Sequence, residues 1–503
     1  MLGHDSLAAV GAVIILAASP PLAPAQELPL ADTAWRYQAP SDITLLRLCP
    51  TTELLLATDK AVVALDAATG SVLWQLDGLP SYREGLFWGS CGAATGLSYR
   101  KDRLAAFDLA SGRRLWDASV LPPFQEIRGY FALGRKDLLL LFLRTTASDR
   151  SLVAVRLSSG ALRWQRDDLF AQSPRFAGRG GVSDISEYQV VITDSDTSLM
   201  LYLSPDGPVR LDARSGATLW KGDALAGPRV PSLDDYAAMT TVDSLLVIPR
   251  DNGLVALDAR DGRRLWENAA LFPTHASRVV TAKPGLLVRA GRSFVTVLDP
   301  ATGMPRWKRP LTVETDGVAY EIVGERYYVV THDRLLAADL ATGDTTGLAT
   351  LAFDDGEHAQ NMFATDDGLL VVSRENLFRL DFLGAIRYHR FFKAPGASFL
   401  EALGGALTLN LGVMGARYGA AEFRSDYAYF LTNAPDSAGR TGNSLVRVAL
   451  KDGNEAGRIW FRERSPNFRA DPARDQLLVF RDKKTLVAVR FPGAASAAVG
   501  TAP

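Results

Sequence analysis

The sequence predicts an all-β fold, a single closed β-propeller of four-stranded antiparallel blades, and three observations carry that expectation. One short phrase recurs along the chain. Its copies stand 41–56 residues apart, the period of a propeller or a related array. The two ends of the chain each hold part of a unit, and the parts are complementary.

The clearest copy of the phrase is Ala64-Leu65-Asp66-Ala67-Ala68-Thr69-Gly70-Ser71-Val72-Leu73-Trp74. It returns at Ala106/Asp108/Ser111/Gly112/Trp116 and Ala256/Asp258/Gly262/Trp266, and looser copies end at Trp164, Trp220 and Trp307. In each the Gly precedes the Trp by four residues. The residues before the Asp are short apolar runs such as Ala61–Leu65 and Gly253–Leu257, which read as strands. Asp opens a turn because its carboxylate accepts backbone N–H bonds two residues on, Thr or Ser does the same more weakly, and Gly supplies the positive φ of the return. The next strand then carries an indole. An indole buries roughly 150–250 Å² and donates its N–H at one edge, so one per unit at a constant place suits a wedge between neighbouring sheets. Packing, not ligand binding, is the expected role of Trp74, Trp116, Trp164, Trp220, Trp266 and Trp307, and Trp35 and Trp460 are placed in the same slot; Trp88 lies outside it.

The repeat resembles the PQQ-type propeller repeat of quinoprotein dehydrogenases and of the outer-membrane assembly lipoprotein BamB. It extends over roughly residues 33–491. The resemblance implies the fold, WD40/YVTN-like in outline, and leaves function open, since fold does not fix function.

In chain order, the first expectation is a bacterial export signal at residues 1–25. Leu7–Ala18 has the length of a signal h-region, and Ala23-Pro24-Ala25 ends an Ala-x-Ala site. The apolar run is too short to span a membrane. No Lys or Arg precedes it, and no Cys follows it for a lipid anchor. The expected product is a soluble periplasmic or secreted protein cleaved after Ala25. Asp5 is the one formal charge in that segment, which leaves 55 acidic and 55 basic side chains. A neutral balance argues against nucleic acid, which needs a basic surface.

Ala31–Tyr37 reads as a strand with an isolated slot Trp. At the far end, Gln476–Phe480 and Thr485–Val489 make a hairpin without a Trp strand. The N-terminal strand is therefore expected to complete the last sheet and lock the ring, which removes open edges. Units one to three span about Ile43–Asp167. Ser173–Glu187 reads as a long loop in unit four, and Asp251-Asn252-Gly253 as a hairpin turn in unit five. Later units decay: Gly347 replaces the seventh Trp and Tyr388 the eighth. An insertion is expected at about 403–442, and a disordered tail at 494–503. The count is ten units, against eight in many propellers of this kind, so the expectation is eight to ten blades.

Cys49 and Cys91 each lie 25 residues before a slot Trp, at equivalent points of adjacent units. A disulfide there and two buried thiols both fit; the disulfide needs Cα atoms within about 7 Å.

The resemblance implies PQQ and calcium as cofactors of the dehydrogenase members, with a vicinal Cys pair and Asp, Glu and Asn around the metal. No two cysteines are adjacent here, and no stretch matches a calcium or catalytic-base motif, so no catalytic, cofactor-binding or metal residue is carried over. His275, His332, His358 and His389 show no zinc spacing. Asp194–Ser198 departs from a calcium loop at its sixth and twelfth positions, and the Asp doublets, Asp354-Asp355 and Asp366-Asp367 among them, read as turn residues. Nucleophile elbows and phosphate loops are absent from the sequence. The apolar, glycine-rich stretch around Val413, Met414, Arg417 and Tyr418 is the candidate partner-binding loop; the alternative is a cover over a blade edge or channel mouth. Three functions follow: a non-enzymatic protein-binding scaffold, a quinoprotein oxidoreductase with a degenerate site, and a ligand-sensing propeller, the last with little beyond Trp88 and scattered Tyr to support it.

Overall fold

The computed structural model describes residues 32–491 apart from intervening segments, the longest being 171–187, 223–239 and 395–421. Among the described residues there are ten four-stranded antiparallel sheets. Blades 1 to 9 occupy residues 43–77, 87–117, 126–166, 188–221, 240–268, 278–312, 319–350, 361–391 and 422–460 in chain order. Blade 10 takes three strands from residues 467–490 and its fourth from Thr33–Gln38 at the other end of the chain. That strand lies antiparallel on Thr485–Arg490, with Arg36 opposite Val487 and Tyr37 opposite Leu486. The strands of each blade are called A to D here. The A strands of blades 7 and 8 (Ala319–Val323 and Asn361–Thr365) run beside each other, so A is innermost and D outermost.

The B and C strands are buried on both faces, which is why they read as continuous apolar runs. In Leu138–Arg144 of blade 3, Leu139, Leu141 and Leu143 pack towards blade 2, while Leu138, Leu140 and Phe142 pack towards blade 4. The core is thus a series of layers between blades.

The recurring phrase builds each junction. Its C–D turn closes by Gly70 N–H donating to the Asp66 carbonyl, 2.8 Å. The Asp66 carboxylate accepts from Ala68 N, Thr69 N and Thr69 Oγ1 at 2.8–3.0 Å. Seven indoles, Trp35, Trp74, Trp116, Trp164, Trp220, Trp266 and Trp307, donate Nε1–H across to the next blade, always to the carbonyl just after the turn's first residue, at 2.7–3.2 Å. Each ring lies on the next blade's turn glycine. A Cβ at Gly262 would stand 2.5 Å from the Trp220 ring. The glycine is therefore required twice, by its φ of 75° and by the ring above it. Burying one indole is worth about 4–6 kcal/mol as an upper bound. Blade 6 keeps this contact although Pro305 and Pro310 shorten its D strand to Leu311–Thr312.

Three junctions differ. Between blades 8 and 9, Tyr388 lies on Gly453 and its hydroxyl donates to the Leu450 carbonyl, 2.7 Å. Burial pushes that phenol up to about 12. Between blades 7 and 8 Gly347 stands four residues past the turn glycine Gly343, where the phrase carries Trp, and the next turn glycine, Gly384, lies against Leu348. Here Tyr328, on the B strand, donates to the Phe382 carbonyl at 3.3 Å, the acceptor an indole would have used, and the two rings sit 6.0 Å apart at 43°. Between blades 9 and 10 the same solution recurs: Gly457 occupies the slot register opposite Arg447, and Tyr429 meets Phe491 at 5.9 Å and 46°. Tyr328 and Tyr429 stand at one B-strand position, where Trp blades have Leu55, Leu97, Leu140, Met200 and Val247. Phe382 and Phe491 stand one residue past the turn's first position, where Trp junctions have Ala67 or Leu109. Two rings from opposite blades replace one indole.

Trp460 is consequently not a slot residue. It lies three residues beyond Gly457, opposite Ser444, with the guanidinium groups of Arg440 and Arg458 5.8 and 5.3 Å from its ring. Blade 9 also begins earlier than the sequence suggests. Glu422–Arg424 and Tyr427–Thr432 are its A and B strands and fall inside the span read as insertion. Tyr427-Ala428-Tyr429-Phe430-Leu431-Thr432 is an aromatic, β-prone run that the glycine-rich residues before it obscured.

Candidate functional site

The densest polar cluster among the described residues joins blade 7 to blade 8. Three pieces of chain meet there: the connection 351–360, the B–C turn of blade 8 at 373–375, and the D strand Ile386–Phe391 with its exit 392–394. The turn is closed by Ser373 N–H to the Asn376 carbonyl, 2.9 Å, while Ser373 Oγ accepts from Asn376 N, 2.8 Å. Ser373 Oγ donates in turn to the Glu357 carboxylate. The same Glu357 oxygen accepts from Glu375 N at 2.8 Å and Asn376 Nδ2 at 3.1 Å.

Asn376 is fully buried, and its neighbours orient its amide. Nδ2 also donates to the Asp354 carbonyl, 3.4 Å, and Oδ1 accepts from Asp354 N, 3.1 Å. His389 Nε2 lies 2.9 Å from the same Oδ1, so that nitrogen carries the hydrogen. The imidazole stacks on Phe378 at 4.0 Å and 2°. Burial holds its pKa below the ordinary histidine value, against the pull of Asp354 at 3.7 Å. Lys393 Nζ pairs with Asp355 at 3.3 Å. His332 and His358 stack nearby at 5.6 Å on the exposed side.

Glu375 has the opposite shift. It is 9% exposed, its Oε2 is buried without a hydrogen-bond partner, and burial raises its pKa, with Glu357 and Asp355 adding to the rise. The Ala394 N–H faces its carboxylate, and Phe392 N–H donates to its main-chain carbonyl at 2.8 Å. Beyond, the Lys393 carbonyl accepts from Thr432 Oγ1 and Asn433 N at 2.8 and 3.0 Å, which ties the exit to blade 9. The arrangement ties the exit of blade 8 to its B–C turn and to blade 9.

Of the eight indoles named from sequence for the slot, seven serve the junctions described above and Trp460 does not. Cys49, Cys91, Val413, Met414, Arg417 and Tyr418 lie outside the described residues. Asp355 and Asp367, read as turn residues, hold ion pairs, Asp355 with Lys393 and Asp367 between Arg379 and Arg387, and Asp354 lies 3.7 Å from the His389 ring. Among the described residues no three His, Cys, Asp or Glu side chains gather where they could hold a metal ion. No helix of the described residues is long and apolar enough to cross a membrane.

No curated protein matches the chain in sequence. Solved structures similar to it include BamB from Moraxella catarrhalis, 15% identical over 72% of this chain and all of that one, with a TM-score of 0.37. The computationally designed Ika8 protein is also 15% identical, over 72% of this chain and 99% of that one, again at 0.37. The C-terminal WD40 domain of Sif2 is 12% identical over 68% and 95%, at 0.37. A family model described as outer membrane protein assembly factor BamB matches residues 32–126, 58–249, 100–292 and 250–359 in overlapping stretches. With well over half of its residues so matched, the chain belongs to this PQQ-like propeller family.

Proposed function

We propose that the protein is an exported, non-enzymatic scaffold that presents loops of a rigid propeller to protein partners of the cell envelope. The observation that carries the reading is the match to an assembly-factor family along residues 32–359. The way the repeated residues are used agrees with it. The Asp, Thr and Gly of each phrase close turns, and each indole is committed to the next blade, which makes a stiff frame on which loops can be specific. The charge balance, with equal numbers of acids and bases beyond residue 25, suits a soluble periplasmic or secreted chain released after Ala25.

The test uses the exported chain, residues 26–503, immobilised and presented to solubilised envelope proteins, beside a variant lacking 411–419. A defined partner, lost or weakened in the variant, supports the scaffold. No partner for either, or reduction of a redox dye on adding PQQ and calcium, overturns it.

A further inference from the structure

We propose that the outer edge of blade 7, the D strand Thr345–Thr350, is a self-association edge that pairs antiparallel with the same strand of a second copy of this chain.

Each D strand is the last of its sheet, so one row of its backbone N–H and C=O groups faces away from the ladder. Such an edge invites another strand unless charge, proline or shortness blunts it. Among the described residues nine of the ten D strands are blunted. Charged side chains stand in those of blades 1 to 5 and 8 to 10, Arg114, Lys221, Arg387 and Arg36 among them, and the D strand of blade 6 is two residues long behind Pro310. Blade 7 presents Thr-Thr-Gly-Leu-Ala-Thr, six residues without a charge and β-prone at its threonines. Thr345, Thr346, Gly347 and Thr350 are exposed. The register shift that falls three residues past the turn glycine in blade 1 falls five past it here, at Leu348, so Thr345–Gly347 keep a regular register on Leu336–Ala338.

A second departure lies beside the first. With no indole between blades 7 and 8, the C–D turn of blade 8 comes against the edge strand itself, and a Cβ at Gly384 would stand 2.7 Å from the Leu348 Cβ. The residues around that glycine are Leu383 and Ile386, 75% and 45% exposed. Other turns place Thr69, Ser111, Ser215 or Thr342 where Leu383 stands. At Gly347 no heavy atom lies within 4 Å of the Cβ position, which leaves room for an incoming side chain.

Charge selects the occupant. The edge offers backbone hydrogen bonds, hydroxyls and apolar contact, and no ion-pair partner within the strand, so a charged strand would lose hydration there without compensation. The same strand of a second copy fits. Identical strands pair antiparallel about a two-fold axis, no like charges meet in any register, and threonine faces threonine or a small residue. The two-fold contact uses up the edge, so assembly stops at the dimer. One strand pair flanked by Leu383 and Ile386 is a small contact, so the dimer is weak and depends on concentration.

Sedimentation equilibrium of residues 26–503 from about 1 μM to about 1 mM, the range of weak interfaces, tests this. The weight-average mass should rise towards twice that of the monomer. Thr346→Lys, at an exposed position, should weaken the dimer about five- to thirtyfold, because two cross-strand pairs change at once. Thr346→Val, uncharged and β-prone, should keep it, and Val72→Lys on the blade 1 edge should leave it unchanged, with circular dichroism checking that each variant is folded. Hydrogen exchange adds a readout that needs no variant: the amides of 345–350 should gain protection from the dilute to the concentrated end, and those of 72–77 should not. A chain that stays monomeric throughout overturns the proposal, whatever else the edge captures. So does a dimer unchanged in Thr346→Lys, one weakened equally by Val72→Lys, or protection at 345–350 that is independent of concentration.

Discussion

Adding one methyl group at Gly262 separates the two demands on a turn glycine. Ala at a φ of 75° costs about 1–2 kcal/mol from backbone sterics alone. At Gly262 the new Cβ would also stand 2.5–2.9 Å from three atoms of the Trp220 ring, about 1 Å inside ordinary carbon contact. The ring cannot withdraw freely, because Nε1 donates to the Ala259 carbonyl at 3.1 Å. Overpacking of this kind costs about 1–3 kcal/mol, so Gly262→Ala should lose about 2–5 kcal/mol in all. Gly439 is the control. Its φ is 77° and nothing lies within 4 Å of its Cβ position, so Gly439→Ala should lose only the backbone part, about 1–2 kcal/mol. Chemical denaturation followed by circular dichroism measures both. In a Trp220→Ala background, itself costing about 3–5 kcal/mol, Gly262→Ala should fall to the Gly439 level. Equal losses at Gly262 and Gly439, or an unchanged Gly262 loss without the indole, would refute the ring-on-glycine junction.

Phe491→Ala removes a ring that is 2% exposed and should cost about 3–5 kcal/mol, whereas Tyr429→Ala added to it should cost less than the two single losses summed, because the rings share one junction. Asn376→Ala deprives Glu357, His389 and Asp354 N of partners inside a buried network and should lose several kcal/mol by the same assay, at about 1–3 kcal/mol per buried group left unsatisfied. Stability should fall at both pH extremes. Asp108, Asp212, Asp258 and Asp339 are held below the ordinary value by their turn bonds, Asp258 at about 2 through Arg260, so the stability they add above about pH 4 is lost as pH falls towards 2. Tyr388 acts in the other direction: its stabilisation is present below about pH 10 and lost as pH rises through about 12. Melting temperature against pH checks both limbs, and in Tyr388→Phe the alkaline loss should diminish.

The Trp blades were readable because each is written in local sequence: a turn Asp, a Gly and an indole four residues later. Closure was readable too, since an isolated Trp35 strand and a hairpin without its Trp strand are complementary deficits. The Tyr–Gly–Phe junctions were not. Tyr328 and Gly347 come from two strands of blade 7 and Phe382 from a turn of blade 8, and each alone is commonplace; only the contact of Tyr328 with Phe382 across the junction shows that they act together. The same limit hid the polar cluster. Glu357, Ser373, Asn376 and His389 belong to separate strands and turns, and an Asp doublet such as Asp354-Asp355 has the same sequence whether it turns the chain or binds a neighbour. Trp460 misled for a related reason, because an indole near a turn glycine is a slot residue only at the right register.

The ring and its latch by the first strand are what everything else is built on, and hydrogen exchange of Thr33–Gln38 tests them most directly. The backbone amides that bond to Thr485–Arg490 should exchange as slowly as those of Gln476–Phe480, and Trp35→Ala should speed exchange in both segments together. Exchange of residues 33–38 at the rate of a free chain end, with 476–490 still protected, would contradict the closed ring.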